Sequence, residues 1–465
     1  MNYDQIISQR IQNIKPSGIR KFFDILEEMT DAISLGIGEP DFVTPWHIRD
    51  AGIYSLERGH TKYTSNAGML ELRREISNYL RRRFDLNYGY AKQILVTVGG
   101  SEAIDLALRC LLNPGDEVIV PVPSFVCYGP LTEMAGGVPV YVELKAEDQF
   151  RLTPEQLKAA ITPKTKVLVL PFPSNPTGGI MSRPDLEAIA EVLRGTDIMV
   201  ISDEIYAELT YGQRHVSMAN LTDMYERTVV VNGFSKSHAM TGWRMGYVCA
   251  PQPVIAAMTK LHQFGIMSAP TTSQYAAIEA MRNGDKDIEH MREEYDSRRR
   301  YLVENLNRIG LTCFEPKGAF YVFPCIKSSG LTSEEFCERF LMEEKVAVIP
   351  GTAFGPGGEG FVRACYAASM KDIAEEHRLG LKEIQATIAK IDPLPGAKEF
   401  LDELRTMTQV VILSDTFEEF AQPLMKKLGW PTIFCNSLEV APDGEITGFK
   451  MRCEQSKLTT VKALQ

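Results

Sequence analysis

The sequence has no excess of basic residues, no long apolar run and no closely spaced cysteine pair. Fifty lysines and arginines against sixty acidic residues give a net charge of −10, which argues against binding to nucleic acid or a membrane surface. No apolar run approaches the roughly 18 residues of a transmembrane helix. The nine cysteines form no CxxC motif and are odd in number, which is typical of reduced thiols in a cytoplasmic protein.

Repeats, low-complexity tracts and an apolar signal core after Met1 are also absent from the sequence. The Gly36-Ile37-Gly38 stretch lacks the third glycine and the preceding long strand of a dinucleotide fingerprint, so we exclude NAD binding there. Apolar residues make up 44% and charged residues 24%, the balance of a soluble globular protein. At 465 residues the chain is too long for one core and predicts about three domains.

One segment combines residue types that together suit a phosphate-bearing aldehyde. The β-branched run Val229–Val231 stops at Asn232-Gly233, which predicts a buried strand ending in a turn. Ser235 and Lys236 follow the turn, and Arg244 comes eight residues after the lysine. The amine of Lys236 can form a Schiff base with an aldehyde, while Ser235 and Arg244 can hold a phosphate. An isolated Ser-Lys pair is more often an exposed loop, so the segment has to be judged with the rest of the chain.

From about residue 94 the sequence alternates between strand-like and helix-like patterns. Helical patterns such as Ser101–Leu112 and Arg183–Leu193 separate most of the apolar runs. This alternation predicts an α/β fold with a mostly parallel sheet covered on both faces by helices. The last two runs are so close in sequence that one strand there can be antiparallel. The predicted strands are Ile94–Val98, Glu117–Val122, Lys166–Leu170, Ile198–Ser202, Thr228–Val231 and Met245–Ala250.

Polar and aromatic candidates follow these predicted strands at their carboxyl ends, where open α/β sheets bind ligands. Each candidate also has an ordinary explanation, such as a capped helix start, a core aromatic or a turn. Their common placement is what indicates a site. The candidates in strand order are Gly100-Ser101-Glu102, Phe125, Asn175, Asp203 with Tyr206, and Ser235 with Lys236.

The stretch SKSHAMTGWRMGY, residues 235–247, resembles the lysine segment of class I aminotransferases, the fold-type I enzymes that depend on pyridoxal 5'-phosphate. The segments GEPDF, NPTG and DEIY extend the resemblance over about residues 5 to 388. It implies a large domain with a mostly parallel, seven-stranded type of sheet between helices, and a smaller α+β domain. The implied boundaries are 1–45 for an N-terminal arm with part of the small domain, 46–285 for the large domain and 286–390 for the small domain.

The resemblance also implies a role for each cofactor-binding residue. Backbone N–H groups of Gly100, Ser101 and Glu102 would bind the phosphate at a helix N-terminus, and Phe125 would lie against the pyridine ring. The Asp203 carboxylate would keep the ring nitrogen protonated, so that the ring accepts electrons. Asn175 and Tyr206 would hydrogen-bond the ring oxygen and favour a low imine pKa.

Three further positions match the family outside these motifs. The backbone of Gly38 would approach the substrate carboxylate, and Arg363 would hold the α-carboxylate with two hydrogen bonds. Tyr63 would reach the cofactor phosphate of the other subunit, which implies a homodimer. Alone, an arginine in a strand more often makes a surface ion pair, and a tyrosine before a helix more often packs.

The implied reaction is ping-pong amino transfer, in which Lys236 moves the α-proton. Which amino acid and which 2-oxo acid react stays open. A β-lyase, such as a C–S lyase, or a decarboxylase would use the same cofactor residues. A binding module with a regulatory role is an alternative from another class, suggested only by the C-terminal tail.

Residues 391–465 resemble part of a haloacid-dehalogenase-type phosphatase, nearest the phosphoserine phosphatase and homoserine phosphotransferase branch. The pattern is a helix over Ala397–Met407, a strand over Gln409–Leu413, a helix over Phe417–Leu428 and a strand over Thr432–Cys435. Ser414 matches the phosphate-binding hydroxyl and Lys457 the charge-stabilising lysine. The nucleophile and metal-binding carboxylate motifs are missing, so we expect no phosphatase activity from this fragment.

Overall fold

The computed structural model describes residues 1–16, 18, 32–369, 385, 393, 396–408, 410–440 and 446–450. The chain forms two compact units, Met1–Ser369 and Met370–Gln465. This boundary comes before the one at residue 391 indicated by the sequence. The division of the first unit at residues 45 and 285 stays a prediction, because the first unit is compact as a whole.

A seven-stranded sheet forms the centre of the first unit. Its strands are β2 (Ile94–Thr97), β3 (Glu117–Val122), β4 (Val138–Glu143), β5 (Thr165–Leu170), β6 (Met199–Asp203), β7 (Thr228–Gly233) and β8 (Gly246–Cys249). The order across the sheet is β2-β8-β7-β6-β5-β3-β4. Neighbouring strands pair in parallel from β4 to β7, whereas β8 is antiparallel to both β7 and β2. The predicted mostly parallel sheet with one antiparallel strand is confirmed.

Both faces of the sheet are covered, as the continuous apolar strands predict. Val167 and Val169 of β5 pack in one core cluster, whereas Leu168 and Leu170 of the same strand pack in another. Side chains alternate between the two faces of a strand, so the two clusters lie on opposite sides. Strand β4 was not predicted; its apolar run Val138–Val142 contains Pro139, which argues against a strand interior, and its residues are mostly half-buried or exposed.

Helices connect the strands and begin at recognisable signals. In α8, Ser182 and Asp185 form a capping box, and a proline stands at the second helical position. The helices of the first unit are α1 (Tyr3–Ile6), α2 (Gln9–Asn13), α3 (Trp46–Glu57), α4 (Leu70–Phe84), α5 (Gly100–Leu111), α6 (Tyr128–Met134), α7 (Pro154–Ala160), α8 (Arg183–Leu193), α9 (Gln252–Gly265), α10 (Thr271–Asn283), α11 (Asp285–Arg308) and α12 (Ser333–Glu344).

Short strands in the C-terminal part of the first unit form separate small sheets. Strands β9 (Tyr321–Val322), β11 (Ile349–Pro350) and β12 (Val362–Cys365) make an antiparallel sheet with β12 in the middle. Strand β1 (Ile33–Ser34) pairs in parallel with β10 (Val346–Ala347). This pairing places the segment after residue 32 beside the C-terminal part of the unit. In the described residues, no helix has the length and apolar character to cross a membrane.

The second unit contains α13 (Ala397–Met407), β13 (Val411–Phe417), α14 (Glu418–Lys427), β14 (Thr432–Val440) and β15 (Ile446–Lys450). Strand β14 pairs in parallel with β13 and antiparallel with β15. The alternating helix and strand pattern agrees with the prediction. The phosphatase resemblance stays a prediction, because Lys457 and the side chain of Ser414 lie outside the described residues.

Candidate active site

A cavity of about 420 Å³ opens at the carboxyl edge of the central sheet and gathers most of the predicted site residues. Unpredicted lining residues include Tyr128 and Tyr321. Glu102 and Tyr63 are not among the residues that line it. The predicted residues that do line it are Gly38, Gly100, Ser101, Phe125, Asn175, Asp203, Tyr206, Ser235, Lys236, Arg244 and Arg363.

Lys236 lies just beyond β7 and extends its amine into this cavity. Its Nζ donates a hydrogen bond to the backbone oxygen of Gly38 at 2.6 Å. The same nitrogen lies 5.9 Å from the ring centre of Tyr206 and 5.7 Å from that of Phe320. Burial disfavours the charged amine and lowers the pKa of Lys236 to about 8. At pH 7 about a tenth of the amine is therefore uncharged and nucleophilic, far more than for an ordinary lysine with a pKa of about 10.4.

This pKa predicts how Lys236 reacts with an amine-selective reagent in the cofactor-free protein. The modification rate should rise with pH and level off above about 9, with a midpoint near 8. Only the neutral amine reacts, and an ordinary lysine becomes neutral at about 10.4. Peptide mass spectrometry would follow the modification of each lysine, and exposed lysines of the same chain provide the comparison. A midpoint for Lys236 equal to theirs would contradict the described burial.

Asp203 ends β6 and is buried at the floor of the cavity. Its Oδ2 accepts a hydrogen bond of 2.7 Å from the Tyr128 hydroxyl, and its Oδ1 accepts one of 3.2 Å from the N–H of Ile205. Burial raises the pKa of Asp203 above its ordinary value, whereas these two donors act in the opposite direction. A carboxylate with two donors at this depth is well placed to pair with a cationic ring nitrogen.

Backbone and side-chain donors together form an anion cradle at the start of α5. Gly99 has φ 80° and precedes the helix that begins at Gly100, so helix N–H groups and the positive end of the helix dipole face this corner. A Cβ on Gly99 would lie 2.8 Å from Nη2 of Arg244, and one on Gly246 would lie 2.5 Å from the carbonyl carbon of Gly99. The buried Ser235 lines the same cavity. Glycines therefore allow a close approach that side chains would prevent, and the cradle fits a phosphate.

Glu102 does not line the cavity, unlike Gly100 and Ser101, and its side chain has a structural role. Its side chain accepts a hydrogen bond from the N–H of Val98 and lies 2.8 Å from Nδ1 of the buried His262. The carboxylate thus links the first turn of α5 to the residue that follows β2 and to α9. The predicted phosphate contact of the Glu102 backbone stays a prediction.

Arg363 of β12 lies buried at the opposite side of the cavity. Its Nη1 donates to Asn175 Oδ1 at 2.9 Å, and its Nη2 donates to the backbone oxygen of Gly36. The guanidinium packs over the ring of Tyr321, with 4.6 Å between its central carbon and the ring centre. Among the described residues, Nε of Arg363 has no hydrogen-bond partner. A buried cation with an unmatched donor beside an open cavity suits a carboxylate ligand.

Tyr206 and Asn175 lie between the two ends of the cavity. The hydroxyl groups of Tyr206 and Tyr321 are 2.8 Å apart. Because Asn175 directs Oδ1 to Arg363, its Nδ2 is the group left to donate to a ligand. Tyr321 could not be predicted from the sequence, since it comes from a separate sheet and lies 115 residues after Tyr206. Tyr128 follows a strand, as the other candidates do, and this placement was its one sequence signal.

These features define an α/β enzyme with a nucleophilic lysine, a phosphate-sized anion cradle and a buried carboxylate-binding arginine. Residues 30–377 match the family described as Aminotransferase class I and II. The chain is 52% identical over 369 residues to the putative aminotransferase YugH of Bacillus subtilis (strain 168), covering 79% of this chain and 96% of that protein. It is 46% identical over 372 residues to the aspartate aminotransferase of Pyrococcus abyssi, covering 79% of this chain and 96% of that protein.

Solved structures agree with these relatives. The aspartate aminotransferase from Thermus thermophilus with maleate has a TM-score of 0.76 at 39% identity, covering 80% of this chain and 97% of that one. The aromatic aminotransferase from Pyrococcus horikoshii has a TM-score of 0.73 at 45% identity, covering 76% and 96%. The chain therefore belongs to the class I and II aminotransferases, a family that depends on pyridoxal phosphate, and it is an aminotransferase. The predicted fold class and enzyme class are confirmed.

Proposed function

We propose that pyridoxal 5'-phosphate binds in this cavity and that Lys236 is the residue to which it is attached. The observation that supports this most is the common placement of a buried amine of low pKa, a buried carboxylate and an anion cradle around one cavity of about 420 Å³. When bound, the cofactor supplies an aldehyde that links to amines and a ring that withdraws electrons from the reacting carbon.

The anion cradle would hold the phosphate through the N–H groups at the start of α5, the hydroxyl of Ser235 and the guanidinium of Arg244. Phe125 lines the cavity, where its ring is available to stack on the pyridine. Asn175 Nδ2 and the Tyr206 hydroxyl are then donors for the ring oxygen. Asp203 would hold the proton on the ring nitrogen, because its two hydrogen bonds favour the ionised carboxylate.

Arg363 would bind the α-carboxylate of the amino acid. In the structure described here, Nη2 of Arg363 donates to the backbone oxygen of Gly36, and Nζ of Lys236 donates to that of Gly38. The same short segment thus supplies acceptors to both cations. An arriving carboxylate would replace the Gly36 oxygen at Arg363, and charge-assisted hydrogen bonds to a carboxylate are the stronger ones. Lys236 would then take the proton from the α-carbon of the amino acid and deliver it to the reacting carbon of the cofactor.

The reaction we propose transfers the amino group of an L-amino acid to a 2-oxo acid in two half-reactions. Similar proteins are named aspartate, aromatic-amino-acid and N-acetyl-LL-diaminopimelate aminotransferases, so donors of these kinds form the test panel. Each donor is incubated with 2-oxoglutarate, pyruvate or oxaloacetate, and both products are quantified. Equal amounts of new amino acid and new oxo acid would support transfer. Pyruvate and ammonia formed without an acceptor would instead indicate a β-lyase, and carbon dioxide would indicate a decarboxylase.

We also propose a homodimer in which Tyr63 completes the site of the other subunit. Tyr63 is 82% exposed, and Phe264 is 84% exposed. The two segments are neighbours, since Thr271 Oγ1 donates to Lys62 O and Asn66 Nδ2 donates to Met267 O, both at 2.8 Å. Large apolar side chains exposed on adjoining segments indicate a protein-binding surface.

Tyr63→Phe is expected to weaken phosphate binding by about tenfold, the effect of one lost hydrogen bond to a charged group. Cofactor affinity would be measured by equilibrium dialysis, and subunit mass by sedimentation velocity. Tyr54→Phe is the matched control, because Tyr54 is also exposed at 51%. A monomeric protein, or equal cofactor affinity in all three proteins, would contradict this arrangement.

A further inference from the structure

We infer that Tyr128 is a positioning residue that keeps Asp203 ionised and oriented for the cofactor ring. The inference rests on the role proposed above for Asp203, and goes beyond it by assigning the residue that controls this carboxylate. The donor is the Tyr128 hydroxyl, 2.7 Å from Asp203 Oδ2. Both side chains are buried, and both line the active-site cavity.

The surroundings of Asp203 oppose its ionisation unless a donor is present. The adjacent Glu204 adds negative charge, and burial removes water from the carboxylate. Cys127 lies near enough to Asp203 for burial and this carboxylate together to raise the thiol pKa. Tyr206 is neutral, since burial raises the pKa of its hydroxyl well above the ordinary value. The described surroundings of Asp203 thus supply one side-chain donor, the Tyr128 hydroxyl, besides the N–H of Ile205.

The carboxylate of Glu204 has its own hydrogen-bond partners, and the Tyr128 hydroxyl donates to Asp203 instead. Its Oε1 accepts hydrogen bonds from Ser202 Oγ at 2.7 Å and from Ser217 Oγ at 2.6 Å. Its Oε2 lies 3.0 Å from His215 Nε2. The two neighbouring carboxylates therefore have separate sets of partners. A change at Tyr128 removes a donor from Asp203 and none from Glu204.

The position of Tyr128 is fixed by the start of α6. Its backbone oxygen accepts a hydrogen bond of 2.8 Å from Thr132 Oγ1, and its ring meets that of Phe125 edge-on at 6.3 Å. Burial raises the pKa of the Tyr128 hydroxyl well above its ordinary value, so the hydroxyl stays protonated and can donate. The short segment from Phe125 to Tyr128 thus supplies both an aromatic ring that lines the cavity and the hydroxyl that donates to Asp203.

Tyr128→Phe removes the donor and keeps the ring. Loss of a donor to the charged form should raise the pKa of Asp203 by about one unit. The first measurement is infrared titration of the carboxyl groups in the cofactor-free protein, with Asp203→Asn identifying the band that belongs to Asp203. The second is the pH profile of kcat in the holoenzyme, whose acid limb should move in the same direction by a similar amount while KM changes little.

Tyr54→Phe is the matched control, since Tyr54 is 51% exposed on α3 and does not line the cavity. It should leave both titrations unchanged, and thermal unfolding should show that all variants fold alike. An unmoved Asp203 band in Tyr128→Phe would overturn the inference. A moved band with an unmoved acid limb would overturn its catalytic part, and the activity of Asp203→Asn would then show whether the proposed function has failed as well.

Discussion

Lys236→Ala is expected to lower the turnover number by at least about 10⁴-fold, because it removes the amine that we propose links to the cofactor and moves the proton. The protein should still bind pyridoxal 5'-phosphate. The anion cradle at Gly99, Gly100 and Arg244 and the carboxylate of Asp203 are built from other elements. Absorbance of the dialysed protein would measure bound cofactor, and single-turnover mixing with an amino acid would measure the chemical step.

The matched control is Lys260→Ala, an exposed lysine on α9, which should keep full activity. A small amine added to Lys236→Ala should recover part of the lost rate, since it can enter the space of the missing side chain and carry the proton. Normal transamination by the alanine variant would show that another residue performs these steps.

Asp203→Asn is expected to slow the half-reaction with the amino acid by about 10³-fold. At about 3 Å and an effective dielectric near 20 the gross attraction to a ring cation is roughly 5 kcal/mol, and less remains after desolvation. A loss of about 4 kcal/mol corresponds to a thousandfold slower step. Asparagine keeps the shape but has one acceptor oxygen, so it can accept from Tyr128 only while its NH2 group faces the N–H of Ile205. The change therefore removes the charge together with one acceptor.

Stopped-flow absorbance would resolve this half-reaction, and the effect should fall on the rate at saturating amino acid rather than on the affinity for it. Asp197→Asn serves as the control, because Asp197 is exposed just before β6 and does not line the cavity. An unchanged rate in Asp203→Asn would exclude the proposed role of the carboxylate.

Most strands of the sheet could be predicted from the local hydrophobic pattern, since buried strands such as β3, β5 and β7 contain continuous apolar runs. The bounds of α8 also agree with the predicted helix Arg183–Leu193. Strand β4 at the edge of the sheet was missed because Pro139 interrupts its apolar run, and proline is tolerated in a strand chiefly at a sheet edge. The order of the strands depends on long-range pairing, which short-range periodicity does not encode.

Most of the site was predictable from residues that follow a parallel strand, because these strand ends share one edge of the sheet; Tyr128, which also follows such a strand, was not selected. Arg363 and Tyr321 come from another sheet, so Arg363 was found through the family resemblance alone and Tyr321 was not found. The bond between Tyr128 and Asp203 joins residues 75 positions apart, and its geometry appears only in the folded chain. Tyr63 is exposed in the described subunit, so the role proposed for it requires a second copy of the chain.

The proposed reaction depends on one covalent attachment, which borohydride reduction makes permanent. The holoenzyme is reduced, digested and mapped by mass spectrometry, with Lys236→Ala treated in parallel. We predict that the pyridoxyl label appears on the peptide containing Lys236 and is lost in the alanine variant. A label on any other lysine of the active holoenzyme, or one that persists in Lys236→Ala, would contradict the account.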